Sequence, residues 1–105
     1  MKAIKTLITT VGAVGLSLTA GYAAAAGADL YAGKFCASCH GVGGKAPVMG
    51  SYPNLAGQNA EYCVEQIKNI RDGVRGGGNT GMMRPMVAGV TDDEATEICG
   101  YLASE

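Results

Sequence analysis

The sequence predicts an all-α domain of about three main helices joined by long loops, and three features carry that expectation. Apolar residues recur at three- and four-residue spacing in two separate stretches. Segments rich in Gly and Pro lie between them. Nothing from Gly27 to Glu105 alternates in the way a pair of strands requires.

The last helix is the best marked. Thr91 followed three residues later by Glu94 forms a capping box, and Asp92 and Asp93 put negative charge at the positive end of the helix dipole. Ala95, Ile98, Cys99 and Leu102 then supply its apolar stripe. A second helix is expected over Ala60 to Arg71, capped by Asn59 and stopped by Gly73, with Cys63, Ile67 and Ile70 on one buried face. A first is expected over Ala28 to Phe35, running straight into Cys36. Gly41 to Gly57, which holds Pro47 and Pro53, reads as loop. Arg75 to Gly81 is too rich in glycine for regular structure by itself and must be held by whatever it lies against.

The beginning of the chain reads as a leader rather than as part of this domain. Lys2 and Lys5 precede an uncharged apolar run from Leu7 to Ala20, and Ala23 to Ala26 offers the small residues of a cleavage site. The stretch is long enough for a membrane span, but Gly12, Gly15, Ser17, Thr19 and Gly21 interrupt it. The expectation is therefore a secretory signal peptide over residues 1–26 that is removed, a single domain over 27–105, export to the periplasm and no membrane anchor. Loss of Lys2 and Lys5 takes the formal charge from −1 to −3, which argues against a nucleic-acid partner.

A domain of about 80 residues has room for only one small core. Its only aromatics are Tyr31, Phe35, Tyr52, Tyr62 and Tyr101, and all but three of the 17 glycines fall within it. Disulfides, a metal or a large cofactor are the usual supplements at this size.

Cys36-Ala37-Ser38-Cys39-His40 names the supplement. Two cysteines three apart on one helical turn can each close a thioether bond to a haem vinyl group, and the next residue can turn its imidazole under the iron. The alternatives fit less well. A thioredoxin-like dithiol wants a preceding strand in an α/β fold. A zinc site would need Cys63 and Cys99, far away on apolar helix faces. A plain Cys36–Cys39 disulfide leaves His40 unexplained. With only one His in the chain, the second iron ligand is Met, Lys, a terminal amine, water or none, and methionine is the natural candidate for an electron carrier. Met82, Met83 and Met86 cluster where a flexible loop could bring a sulfur to the second haem face, and Met49 is expected to pack.

Cys36-Ala37-Ser38-Cys39-His40-Gly41, then Tyr52 to Gln58 (Tyr-Pro-Asn-Leu-Ala-Gly-Gln), Tyr62, Gln66, Met82-Met83-Arg84-Pro85-Met86, Thr91 to Glu94 and Tyr101 together resemble the class I bacterial c-type cytochromes. The similarity is to the small monohaem forms and to the single-haem halves of the dihaem cytochromes called c-four. It covers nearly all of Gly27 to Glu105. It implies a cytochrome c fold, with helices and loops wrapped around one covalent haem c.

In that family the ligating Met lies eight residues before the cap of the last helix. The resemblance therefore points to Met83, with Met82 and Met86 as alternatives. It also implies that the carbonyl of Pro47 accepts the second ring nitrogen of His40, although this chain has one extra residue between His40 and Pro53. Gly27, Tyr31 and Tyr101 match the crossing of the terminal helices. Arg75 and Asn79 are candidate partners for the haem propionates, and a solvated loop serves as well for them.

Cys63 and Cys99 stand outside the family pattern. The implied packing of their helices, together with an oxidising compartment, favours a disulfide over two buried thiols. The implied function is non-enzymatic electron transfer between periplasmic redox proteins, a donor such as a quinol-oxidising complex and an acceptor such as a terminal oxidase or reductase. A redox subunit of a larger oxidoreductase is the alternative. So is a haem peroxidase or gas-binding protein, should the Met ligand be labile.

Overall fold

Thr91 closes its capping box: its Oγ1 accepts the Glu94 amide at 3.1 Å, and Glu94 Oε1 accepts the Thr91 amide at 3.0 Å. Three acidic residues in the first turn reinforce the helix that follows, Asp92–Ala103. Asn59 opens the helix Ala60–Arg71 in the same manner, its side chain accepting the Tyr62 amide at 3.0 Å. The computed structural model describes residues 26–105. In chain order its helices are α1 (26–33), α2 (Cys36–His40), α3 (Ala60–Arg71), α4 (Thr80–Val87) and α5 (Asp92–Ala103), with a 3-10 turn at Val42–Gly44. No strand occurs among the described residues. The leader expected over 1–26 lies outside them except for Ala26, which already belongs to α1. Among the described residues no helix is long and apolar enough to cross a membrane.

The core forms where α3, α5 and α1 meet. Cys63 and Ile70 of α3 and Ala95, Ile98, Cys99 and Leu102 of α5 are buried with Tyr31, Val87 and Val90. Burying Ile98 and Leu102, each at most 2% exposed, contributes about 1.5–3 kcal/mol apiece. Gly27 permits α1 to cross α5 closely, since a Cβ there would collide with the Glu97 carbonyl and stand 2.8 Å from Tyr101 Cβ. One turn further on, Tyr31 packs against Tyr101 with ring centroids 5.7 Å apart.

Two local expectations are corrected. The first helix does not run into Cys36. Phe35 takes a left-handed conformation (φ 64°), which breaks the chain between α1 and α2 at a cost of about 1–2 kcal/mol and re-aims the second helix. Secondly, the methionine cluster is helical rather than the end of a loop. Asn79 stands before α4, and Met83 and Val87, four apart on one face, turn toward the core. Pro85 inside the helix and the glycines before it hide this from a propensity reading. Met49, expected to pack, is 52% exposed on a surface turn, together with Val48.

Cys63 and Cys99 form a disulfide that joins α3 to α5 across 36 residues. Closing a loop of that size stabilises the fold by about 3–4 kcal/mol in the chain-entropy model. The Cys63→Ala/Cys99→Ala double variant is expected to lose that amount in urea titration of the haem-loaded protein. A loss below about 1 kcal/mol would contradict this.

Arg71 fastens the same two helices at the surface. Its Nη1 donates to the Val90 carbonyl at 3.0 Å and to Asp92 Oδ1 at 2.8 Å, and its Nε and Nη2 grip Asp72. Hydrogen bonds from Arg71 hold Asp72 and Asp92 below the usual carboxylate range, and the Thr91 amide does the same for Glu94. Carboxylates depressed in the folded state add stability that is complete above their unfolded values near pH 4 and is lost as pH falls through the folded ones. Asp92→Asn is therefore expected to flatten the decline of stability between about pH 5 and pH 2. Parallel declines in the two proteins would refute this.

Candidate functional site

α2 is only five residues long, yet it carries all three groups of the attachment motif. Cys36 and Cys39 are free thiols, both half-buried. Burial pushes the Cys36 thiol above its ordinary value, which keeps it protonated and unlike the activated thiolate of a redox dithiol. His40, at the end of α2, is 6% exposed. Its Nδ1 lies 3.0 Å from the Pro53 carbonyl, and a carbonyl can only accept. Nδ1 thus carries the proton and leaves the Nε2 lone pair available to a metal. The Tyr52 ring lies 6.3 Å from the imidazole centroid.

This geometry corrects the expectation for Pro47. The carbonyl that orients His40 belongs to Pro53, thirteen residues on. The loop after α2 turns back on the helix, with Val48 N–H on the Cys39 carbonyl at 3.0 Å. Gly41, which starts that turn, has φ 80°, and a Cβ on it would collide with the Ala46 carbonyl. No other residue type fits there.

On the far side of the molecule's sequence, α4 separates the three candidate sulfurs. Met83 is half-buried and packed against the core, whereas Met82 is 63% and Met86 43% exposed. Arg75 lies on the surface with Nη1 3.1 Å from Gln66 Oε1 of α3. Asn79 donates to Ser51 Oγ at 3.1 Å, which ties the α4 end of the chain to the loop that holds Pro53.

These residues fit a haem on two counts. The donor set is right: two thiols one helical turn apart, then an imidazole whose proton is already placed on the other nitrogen. The apolar residues fit too. The buried cluster is built mainly by α1, α3 and α5, while Phe35, Val48, Met49, Tyr62, Met82 and Met86 stay exposed, apolar surface of the kind a large planar cofactor would cover. Sequence reasoning missed Pro53 as the acceptor, although Tyr-Pro-Asn was visible in the motif. It also gave no part to the Tyr31 hydroxyl.

A helical domain with this thiol pair and buried imidazole is of the c-type haem class. The cytochrome c family model matches residues 24–105, and the chain belongs to that family. It is 44% identical over 72 residues to cytochrome c-554(548) of Halomonas halodenitrificans, covering 67% of this chain and 83% of that protein. It is 34% identical over 104 residues to cytochrome c4 of Pseudomonas aeruginosa, covering 99% of this chain and 48% of that one, so it spans about half the length of this relative. It is also 36% identical over 70 residues to a thiosulfate dehydrogenase electron acceptor of Thiomonas intermedia, covering 67% of this chain and 32% of that protein. The family brings one covalently attached haem c and an electron-carrier role that depends on redox partners.

Proposed function

We propose that this chain is a periplasmic electron carrier, freed of residues 1–26, in which Cys36 and Cys39 hold the haem and His40 and Met83 hold its iron. The observation that carries the reading is the buried His40, with Nδ1–H on the Pro53 carbonyl and Nε2 left for the metal. When bound, the haem supplies reversible one-electron exchange between ferric and ferrous iron. Cys36 and Cys39 fix its position on α2, Pro53 sets the plane and basicity of the imidazole, and Met83 presents a thioether from the inward face of α4. Held by both His40 and Met83, the iron would leave no coordination position for a substrate, so the chain would carry electrons rather than catalyse a reaction of its own.

Its partners are periplasmic redox proteins that give and accept single electrons. A second reading, as a redox subunit within a larger oxidoreductase, draws on the relative named as a thiosulfate dehydrogenase electron acceptor. Visible spectra of the purified protein test the first. The pyridine adduct should report covalent haem c, the ferric form should show the Met–iron band near the red edge, and neither carbon monoxide nor azide should bind at neutral pH. Ready binding of either would replace the carrier with a gas-binding or peroxidase function. Copurification with a larger partner would favour the subunit.

A further inference from the structure

We propose that Tyr31 is a positioning residue for His40, acting through a closed ring of hydrogen bonds that fixes the Pro53 carbonyl. The inference rests on the reading of His40 as an iron ligand. Tyr31 is 2% exposed, and a buried phenol must find an acceptor. It finds one outside its own helix: its hydroxyl donates to the Gly41 carbonyl at 2.6 Å, on the residue that follows His40.

From there the ring can be followed bond by bond. The Gly41 carbonyl also accepts the Gly44 amide at 3.1 Å, and the Gly44 carbonyl accepts the amides of Leu55 at 2.9 Å and Ala56 at 3.3 Å. Leu55 stands two residues after Pro53, whose carbonyl receives His40 Nδ1 at 3.0 Å. One peptide bond returns from His40 to Gly41. The Gly57 amide on the Leu102 carbonyl at 2.9 Å anchors the outgoing strand of the loop to α5. Tyr31 is thus the single side chain from α1 that enters this ring, and it fills the second lone pair of the carbonyl on which the loop turns. Burial pushes its hydroxyl up to about 12, so it remains a donor throughout the working range of pH.

The consequence reaches the iron through the imidazole. A firm Nδ1–H bond to Pro53 makes His40 a more electron-rich ligand, which favours ferric iron. Without the Tyr31 hydroxyl the Gly41 carbonyl loses a partner, the 41–56 loop relaxes, and the Pro53 carbonyl holds the imidazole less firmly. Ferrous iron then gains.

Tyr31→Phe keeps the ring and its packing on Tyr101 and removes the donor alone. The ferrous-to-ferric ratio at a fixed applied potential should rise about three- to tenfold, an upward shift of about 28–59 mV at 59 mV per tenfold. Hydrogen exchange at the Gly44 and Leu55 amides should quicken. Tyr101→Phe, on the partner ring outside the hydrogen-bond ring, should leave the potential in place. A more acidic hydroxyl, from 3-fluorotyrosine at position 31, should shift the potential the opposite way, and this holds the test open should Tyr31→Phe not fold. A loss of stability with potential and exchange unchanged would reduce the hydroxyl to a packing role and overturn the proposal. Failure of the underlying reading looks different, because His40→Met would then keep the native spectrum.

Discussion

Replacing Cys36 and Cys39 together by alanine is expected to leave a chain with no covalent haem and no cooperative unfolding transition. The apolar residues buried by the polypeptide itself sit on α1, α3, α5 and the segment from Val87 to Val90, whereas α2 buries only His40. A core of that size in a domain of about 80 residues rarely supplies more than about 3–5 kcal/mol. The Cys63–Cys99 bridge limits the freedom of the unfolded chain but fills no volume. The long segment from Gly41 to Asn59 has only a short 3-10 turn of its own, and it depends on His40, on the Tyr31 ring and on whatever covers Val48 and Met49. Single replacements should behave differently. Cys36→Ala or Cys39→Ala leaves one thioether, so the haem should stay attached and its pyridine spectrum should move to that of a one-vinyl adduct. Circular dichroism through a urea titration checks the double variant. A sharp, native-like transition without haem would show that the haem is no part of the core.

How much of this was legible beforehand depends on how local the cause was. The capping box at Thr91, the Asn59 cap and the stripes of α3 and α5 are set by residues three and four apart, and they form where the sequence places them. The attachment motif is equally local, being confined to one turn of α2. The Cys63–Cys99 bridge required the expected packing of two helices and came with it. Where distant parts of the chain decide the outcome, the sequence alone was insufficient. Phe35 adopts a left-handed turn between α1, which crosses α5 closely at Gly27, and α2, and nothing in the residue type of Phe35 announces it. Pro47 and Pro53 have the same local chemistry, and the choice between them is made by loop closure through Gly41, Gly44 and Leu55. The helix α4 contains Pro85 and follows a run of glycines, so intrinsic propensity is against it, and the burial of Val87 decides in its favour.

Met83→Leu is expected to abolish the Met–iron band and lower the reduction potential, with the fold kept. Leucine conserves most of the volume that Met83 packs against the core, so the cost in stability from packing alone should stay under about 1.5 kcal/mol. What disappears is the thioether, which favours ferrous iron. Axial ligands command a span of about 0.8 V in haem proteins, and removing one of the two should cost on the order of 0.2 V of it, more than a thousandfold in the ferrous-to-ferric ratio at 59 mV per tenfold. The opened position should then bind azide and carbon monoxide at neutral pH, turning a closed carrier into a ligand-binding haem. Met82→Leu and Met86→Leu are the matched controls. Both side chains are exposed, and both variants should keep the band and the potential of the parent. The decisive comparison is between Met83 and Met86, which lie three apart on α4 and so share a neighbouring stretch of its surface. Should Met86→Leu lose the band while Met83→Leu retains it, the sulfur on the iron is Met86 and α4 must rotate by about 60° to deliver it. The half-buried position of Met83 against the core is the structural ground for expecting the reverse.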